Sequence, residues 1–109
     1  MVVPLAENVS YEAGAMLGPC GVCLACAKMG HTADEESVML IGTGPIGLLI
    51  VKFLKAMGVP KVIVSDVLDK RLEKAKACGA DVVINAASQD VVAEVKRQTG
   101  GYGADRVII

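Results

Sequence analysis

From residue 37 onward, short apolar runs alternate with longer stretches in which apolar side chains recur every three or four positions. A short apolar run between turn residues is typical of a buried strand, and the longer recurrence is typical of an amphipathic helix. The runs predict strands at residues 37–42, 61–66, 81–85 and 105–109. A helical stretch fills each interval between them, so the predicted element order is β-α-β-α-β-α-β.

The first two helical stretches carry residues that commonly begin and end helices. Pro45 stands at the first helical position, where its missing N–H costs nothing, and Gly58 closes this helix. The second helix, 68–79, is predicted to end at Gly79, a C-cap residue that adopts the left-handed conformation without strain. The turn residues therefore agree with the hydrophobic pattern.

The third helical stretch has Ser88 as its predicted N-cap and Gly100 as its end. Its valines are expected to face inward: Val91, Val92 and Val95. Strands and helices that alternate in this way form a parallel sheet with right-handed crossovers. We therefore predict an α/β fold with a doubly wound parallel sheet of the Rossmann type, in which the fourth strand lies beside the first.

The last predicted strand is apolar and has no successor in the chain. A fifth strand normally covers the outer edge of the fourth in a doubly wound sheet. Val107, Ile108 and Ile109 would otherwise form the kind of apolar edge that proteins usually protect. We therefore expect a sheet truncated after about four strands, in a chain that is part of something longer.

The turn between the first strand and the first helix carries the pattern G-x-G-x-x-G at Gly42, Gly44 and Gly47. In this context Gly42 permits the tight turn, Gly44 lets the backbone approach a pyrophosphate, and Gly47 lets the helix pack closely on the strand. Pro45 and Ile46 complete the loop, whose N–H groups and helix dipole face the phosphates. These five residues are the predicted pyrophosphate site.

Asp66 stands at the carboxyl end of the second strand, where a carboxylate can accept hydrogen bonds from the ribose hydroxyls of an adenosine. A 2′-phosphate would meet a like charge there, so Asp66 favours NAD over NADP. Arg71 is expected to lie over the adenine or to neutralise Asp66, although a nearby arginine can also accommodate a 2′-phosphate. The alternative is that the glycines form an ordinary turn and Asp66 a solvated strand end.

Composition and charge exclude several kinds of partner. The net charge of -1, with acidic and basic residues interleaved, offers no basic face, so nucleic acid is not expected as a partner. The apolar stretch 38–51 is too short and too interrupted by glycine and proline to span a membrane. Because no targeting segment is visible, we expect a cytoplasmic protein whose 4 cysteines are thiols or metal ligands rather than disulfides.

The segment SVMLIGTGPIGLLIVKFLKAMGVPKVIVSDVLDKRLEKAKACGADVVIN, residues 37–85, closely resembles the coenzyme domain of the zinc-containing medium-chain alcohol dehydrogenases. Their polyol branch, represented by sorbitol dehydrogenase, is the nearest. Upstream, PLAENVSYEAGAMLGPCGVCLACAKMG resembles the segment that leads into that domain. The resemblance implies that residues 1–36 are a helical hinge segment leading from a catalytic domain outside this chain. Residues 37–109 are then a partial NAD-binding domain.

The resemblance implies an NAD-dependent enzyme that moves hydride between nicotinamide and the carbinol carbon of an alcohol or polyol. In the family, a zinc ion polarises the substrate oxygen, and its main ligands and the proton relay lie upstream of this chain. We therefore expect no catalytic residue and no metal ligand here, and an inactive chain when it stands alone. The longer protein is expected to form a homo-oligomer. One departure stands out: the polyol branch commonly has a glutamate where Gly18 precedes Pro19.

Three cysteines, Cys20, Cys23 and Cys26, are spaced three apart, and His31 follows them. The spacing is similar to that of the family's structural zinc lobe, but that lobe lies well before the hinge segment. On an unbroken helix each step of three residues rotates by about −60°, so Cys26 points away from Cys20. We therefore predict buried helical thiols, because a site with three thiolates and an imidazole would require the helix to unwind.

Three other functions are compatible with these patterns. The chain could be a free-standing module that senses NAD without chemistry, or a small zinc-binding protein that uses the three thiols and the imidazole. It could also be a relative of the zinc-free quinone reductases, but these usually take NADPH, and Asp66 disfavours that cofactor.

Overall fold

The computed structural model describes residues 2–29 and 37–109. In the part of the chain it describes, helices and strands alternate from residue 37 onward, after two helices that come first. The helices are α1 Tyr11–Ala15, α2 Leu17–Lys28, α3 Pro45–Ala56, α4 Asp69–Ala77 and α5 Val91–Gln98. The strands are β1 Ser37–Ile41, β2 Lys61–Asp66, β3 Val82–Asn85 and β4 Arg106–Ile108.

The described strands form a parallel sheet in the order β3-β2-β1-β4. In the centre Leu40 of β1 lies between Val64 of β2 and Ile108 of β4. The chain runs outward from β1 to β3 and then crosses back to place β4 on the other side of β1. This order confirms the predicted doubly wound sheet, with the fourth strand beside the first.

Helices cover both faces of the sheet, which explains why the central strands are apolar on successive positions rather than on alternate ones. On one face, α2, α3 and α4 pack on side chains that include Val38 and Leu40 of β1 and Val64 of β2. On the other face, Val95 of α5 packs against Met39 and neighbouring strand residues. Two layers of helices therefore enclose the sheet that carries the loops described below.

Helix α2 is apolar around most of its circumference, and it packs with Cys23 and Ala27 completely buried. Its C-terminal end is tied to β4, because Nη1 of Arg106 donates hydrogen bonds to the carbonyl oxygens of Ala27 at 3.0 Å and Met29 at 2.6 Å. The positive guanidinium also interacts favourably with the negative end of the helix dipole. The N-terminal helical segment is thus fastened to the last strand.

The start of α5 differs from the prediction. Its N-cap is Asp90, whose carboxylate accepts a hydrogen bond from the N–H of Ala93 at 3.1 Å, and not Ser88. Ser88 instead belongs to a turn in which its own N–H donates to the carbonyl of Asn85. Val92 is also predicted wrongly to face inward: it follows Val91 by one helical step of about 100° and is 64% exposed, whereas Val95 is buried.

Most other boundaries lie within one or two residues of the predicted ones. Strand β2 matches the predicted range 61–66, and β4 is shorter than predicted because pairing with β1 ends at Ile108. Gly79 follows α4 with a φ of 110°, as expected of a C-cap glycine. Within residues 2–29 and 37–109, no helix has the length and hydropathy needed to cross a lipid bilayer.

Candidate functional site

The loop between β1 and α3 is built around two glycines that touch. Gly42 has a φ of 95°, which a side chain would strain, and its N–H donates to the carbonyl oxygen of Ser65 at 2.9 Å. A Cβ on Gly47 would lie 2.2 Å from the carbonyl oxygen of Gly42, closer than any real contact. The first turn of α3 therefore packs directly on the backbone of the loop, as the glycine pattern predicts.

Gly44 has no such neighbour, since a Cβ there would meet nothing within 4 Å. Its backbone is extended, at φ -67° and ψ -174°, and other residues adopt this conformation readily. Neither the packing nor the backbone of the chain therefore requires glycine at this position. The open space beside it is what close approach of a ligand to the backbone would use.

The N-terminal end of α3 presents backbone donors beside that open space. Gly44 is the N-cap, and the N–H of Leu48 is bonded to its carbonyl oxygen at 2.9 Å. The N–H groups of Ile46 and Gly47 precede Leu48, so they have no carbonyl four residues back within the helix, and Pro45 has no N–H. The backbone donors and the positive end of the helix dipole thus both face the open space beside Gly44, an arrangement suited to binding an anion.

Asp66 ends β2 next to this loop and is 8% exposed. Its Oδ2 accepts hydrogen bonds from the backbone N–H and the hydroxyl of Thr43, each at 2.9 Å. Its Oδ1 accepts from the N–H groups of Val67 at 2.7 Å and Leu68 at 3.1 Å. The carboxylate therefore joins the end of β2 to the glycine loop.

These hydrogen bonds keep Asp66 ionised. Burial raises the pKa of its carboxyl group, but the hydrogen bonds from the backbone and hydroxyl of Thr43, and from the backbone of Leu68 and Val67, outweigh burial. Together they lower the pKa from 3.8 to about 2. The site thus holds a fixed negative charge at neutral pH.

Arg71 provides the nearest positive charge. Its Nη1 lies 3.7 Å from Oδ2 of Asp66, and about half of its side chain is exposed, at 51%. It reaches Asp66 from the first turn of α4, the helix that follows β2. This agrees with one of the two expected placements, in which the guanidinium neutralises the carboxylate, and it leaves the guanidinium open to a ligand.

The structure brings all the predicted site residues to the carboxyl edge of β1 and β2: Gly42, Gly44, Pro45, Ile46, Gly47, Asp66 and Arg71. The sequence reasoning did not single out Thr43, which is 1% exposed and supplies two of the four hydrogen bonds to Asp66. A hydroxyl residue directly after a buried strand, with an acid at the end of the next strand, is the signal that could have identified it.

The three cysteines lie on the continuous helix α2, as predicted, but only Cys23 is buried, and Cys20 and Cys26 are partly exposed. Cys23 is fully buried, and its Sγ donates to the carbonyl oxygen of Ile46 at 3.6 Å. Burial, followed by the neighbouring Cys20 and Cys26, raises the pKa of the Cys23 thiol, which keeps it protonated. Among the described residues, no three His, Cys, Asp or Glu side chains are grouped to hold a metal ion, and His31 lies outside them.

Comparison with known proteins places this chain among dehydrogenases. Residues 45–109 match the family of zinc-binding dehydrogenases. Human sorbitol dehydrogenase is 35% identical over 88% of this chain and 28% of its own length. The (R,R)-butanediol dehydrogenase of Bacillus subtilis is 34% identical over 93% of this chain and 29% of its own length.

A solved structure gives the same result. An alcohol dehydrogenase from Escherichia coli CFT073, complexed with the cofactor NADH, is 37% identical with a TM-score of 0.77, over 90% of this chain and 29% of that one. The chain thus spans less than a third of the length of each of these relatives. The family match begins at Pro45, within the loop, and covers α3 and Asp66. Together with the sorbitol and butanediol dehydrogenases among the relatives, it confirms the resemblance to the polyol branch. The chain belongs to the zinc-binding dehydrogenases.

Proposed function

We propose that this chain is the NAD-binding part of a zinc-type dehydrogenase that transfers hydride between NAD and an alcohol or polyol. The observation that carries the proposal is the open space over Gly44 at the N-terminal end of α3, beside the ionised Asp66. The substrates named for the relatives, sorbitol and butanediol, support a small hydroxylated substrate. The longer protein is proposed to act as a homo-oligomer, as the sequence resemblance implies.

The described residues fit a dinucleotide. The N–H groups of Ile46 and Gly47 would donate to the pyrophosphate, which the missing side chain of Gly44 lets approach the backbone. Asp66 would lie toward the adenosine ribose and Arg71 toward the adenine side. When bound, the nicotinamide supplies the hydride donor or acceptor. The role of this chain is to bind and orient it.

Zinc has no comparable fit in the described part of the chain. Gly18 offers no side chain before Pro19, and the thiols of Cys20 and Cys26 lie about 120° apart around one continuous helix. Cys23, between them, is buried against α3. We therefore propose that the zinc of the longer protein is held by residues outside this chain, and that the chain alone does not turn over substrate.

Calorimetric titration of the chain with NADH, with NADPH as the comparison, tests the nucleotide site. We expect saturable binding of NADH and weaker binding of NADPH, because the 2′-phosphate would meet the carboxylate of Asp66. A folded chain that binds neither nucleotide would overturn the proposal.

The variant Gly44→Ala tests whether the pyrophosphate lies at the loop. Because a Cβ at Gly44 contacts nothing in the chain, we expect an unchanged melting temperature and a loss of NADH affinity of about tenfold or more. Gly18→Ala is the matched control, since its Cβ also meets nothing, and it should leave NADH affinity unchanged. Equal NADH affinities for Gly44→Ala and the unmodified chain would mean that the pyrophosphate does not lie at this loop.

A further inference from the structure

Thr43 lies between the two glycines that open the loop, and its side chain is enclosed by the protein. It is 1% exposed, and both its N–H and its hydroxyl donate to Oδ2 of Asp66 at 2.9 Å. A third hydrogen bond between the same two turns joins the N–H of Gly42 to the carbonyl oxygen of Ser65. Of these three hydrogen bonds, two have a backbone N–H as donor, and the third has the side-chain hydroxyl of Thr43.

Four hydrogen bonds from the protein orient the carboxylate of Asp66. Two come from Thr43 and one each from Val67 and Leu68. Because each of these bonds fixes an oxygen, the carboxylate has one orientation before any ligand arrives. Its first role is therefore to hold the loop in place, in addition to any contact with a ribose.

We propose that Thr43 is a positioning residue for the nucleotide site, which couples the pyrophosphate loop to the ribose-binding carboxylate through its hydroxyl. This inference rests on the proposed function. Without the hydroxyl, Oδ2 keeps one fixed partner, and the loop loses a link to β2 within the segment where Gly44 and the N–H of Ile46 meet the phosphates. The loss is therefore felt at the phosphates as well as at the ribose.

The test compares Thr43→Val, which removes the hydroxyl at nearly constant volume, with Thr43→Ser, which keeps it. Titrations use NADH and its analogue that lacks the adenosine 2′-hydroxyl, with folding checked by circular dichroism. We expect Thr43→Val to weaken binding of NADH by about tenfold and to weaken binding of the 2′-deoxy analogue as well, since the loop at the phosphates loses a hydrogen bond to a charged group. Thr43→Ser should stay within about twofold of the unmodified chain, because it restores the donor.

Thr99→Val is the matched control. Its hydroxyl donates to the carbonyl oxygen of Val95 at 2.8 Å and accepts from the N–H of Gly103 at 2.9 Å, at the opposite edge of the sheet. Loss of that hydroxyl should lower stability without changing NADH affinity. A Thr43→Val chain that binds NADH like the unmodified chain, or a Thr43→Ser chain as weak as Thr43→Val, would overturn the positioning role.

The outcomes separate this inference from the proposed function. If the unmodified chain binds NADH and Thr43→Val binds it equally well, only the role of Thr43 is contradicted. If the unmodified, folded chain does not bind NADH, both the proposed function and the role of Thr43 are contradicted. A loss confined to NADH, with the 2′-deoxy analogue bound normally by Thr43→Val, would also overturn the coupling, since it would limit Thr43 to the ribose.

Discussion

Asp66 gives the fold a specific sensitivity to acid. Its pKa is about 2 in the folded chain, against 3.8 for an unperturbed carboxyl group, so the folded state binds its proton less readily than the unfolded state does. The resulting stability is present in full above about pH 4 and is lost as the pH falls toward 2. We expect this loss to be about 2 kcal/mol in the free energy of unfolding.

Urea unfolding at several pH values between 7 and 2 measures the effect. Asp66→Asn should be less stable at neutral pH and should lose less stability than the unmodified chain between pH 4 and pH 2. Glu73→Gln, which removes a carboxyl group from the exposed face of α4, is the control for the loss of a negative charge at neutral pH. Parallel profiles for the unmodified chain and Asp66→Asn would contradict this account.

The residue pattern predicted the turns of the glycine loop but not the hydrogen bonds that hold it. The spacing of Gly42, Gly44 and Gly47 anticipates where the chain turns, because only glycine fits the close contact between Gly47 and the carbonyl of Gly42. The pattern leaves the residue between the first two glycines unspecified. The hydrogen bonds of Thr43 to Asp66 join positions 23 apart, so they depend on the register between β1 and β2.

Among the elements, α2 depends on a residue far away in the chain. Arg106 of β4 donates to the carbonyl oxygens of Ala27, in the last turn of α2, and of Met29, its C-cap. We expect Arg106→Leu to lower the free energy of unfolding by about 1–3 kcal/mol, measured by urea unfolding at pH 7. Two hydrogen bonds and a favourable charge at the helix C-terminus contribute to this loss.

Arg97→Leu is the control for removing an arginine. Arg97 lies on the exposed side of α5, where it pairs with Glu94 in the preceding turn, and such surface pairs contribute little. Its replacement should therefore cost clearly less than that of Arg106. Equal losses for the two variants would mean that the contact between β4 and α2 does not stabilise the fold.

The N-cap of helix α5 was predicted wrongly because two candidate residues lie close together. Ser88 and Asp90 are both good N-cap residues, and the local sequence does not decide between them. The turn after β3 decides, because the side chain of Asn85 accepts from the N–H of Ala87 at 2.9 Å and draws Ser88 into that turn. Asp90 is then the residue that caps the helix.

At the scale of the whole molecule, the strands of the sheet differ in the number of neighbours that hold them. Strand β4 spans only Arg106–Ile108, pairs with β1 alone among the described strands, and leaves Val107 54% exposed. Strands β1 and β2 have partners on both sides. We expect hydrogen exchange followed by mass spectrometry to find β1 and β2 most protected and β4 the first to exchange. Protection of β4 equal to that of β1 would contradict this order.

The position of β1 in the sheet has a consequence for synthesis on the ribosome. One neighbour of β1 is β2, the next strand along the chain, but the other is β4, and the hydrogen bonds between Ser37 and Asp105 join residues 68 apart. While translation proceeds, β1 can pair with β2 well before Arg106 has been added. Its other side therefore stays open as an unpaired edge through much of elongation, the kind of surface that invites contact with other nascent chains or with chaperones.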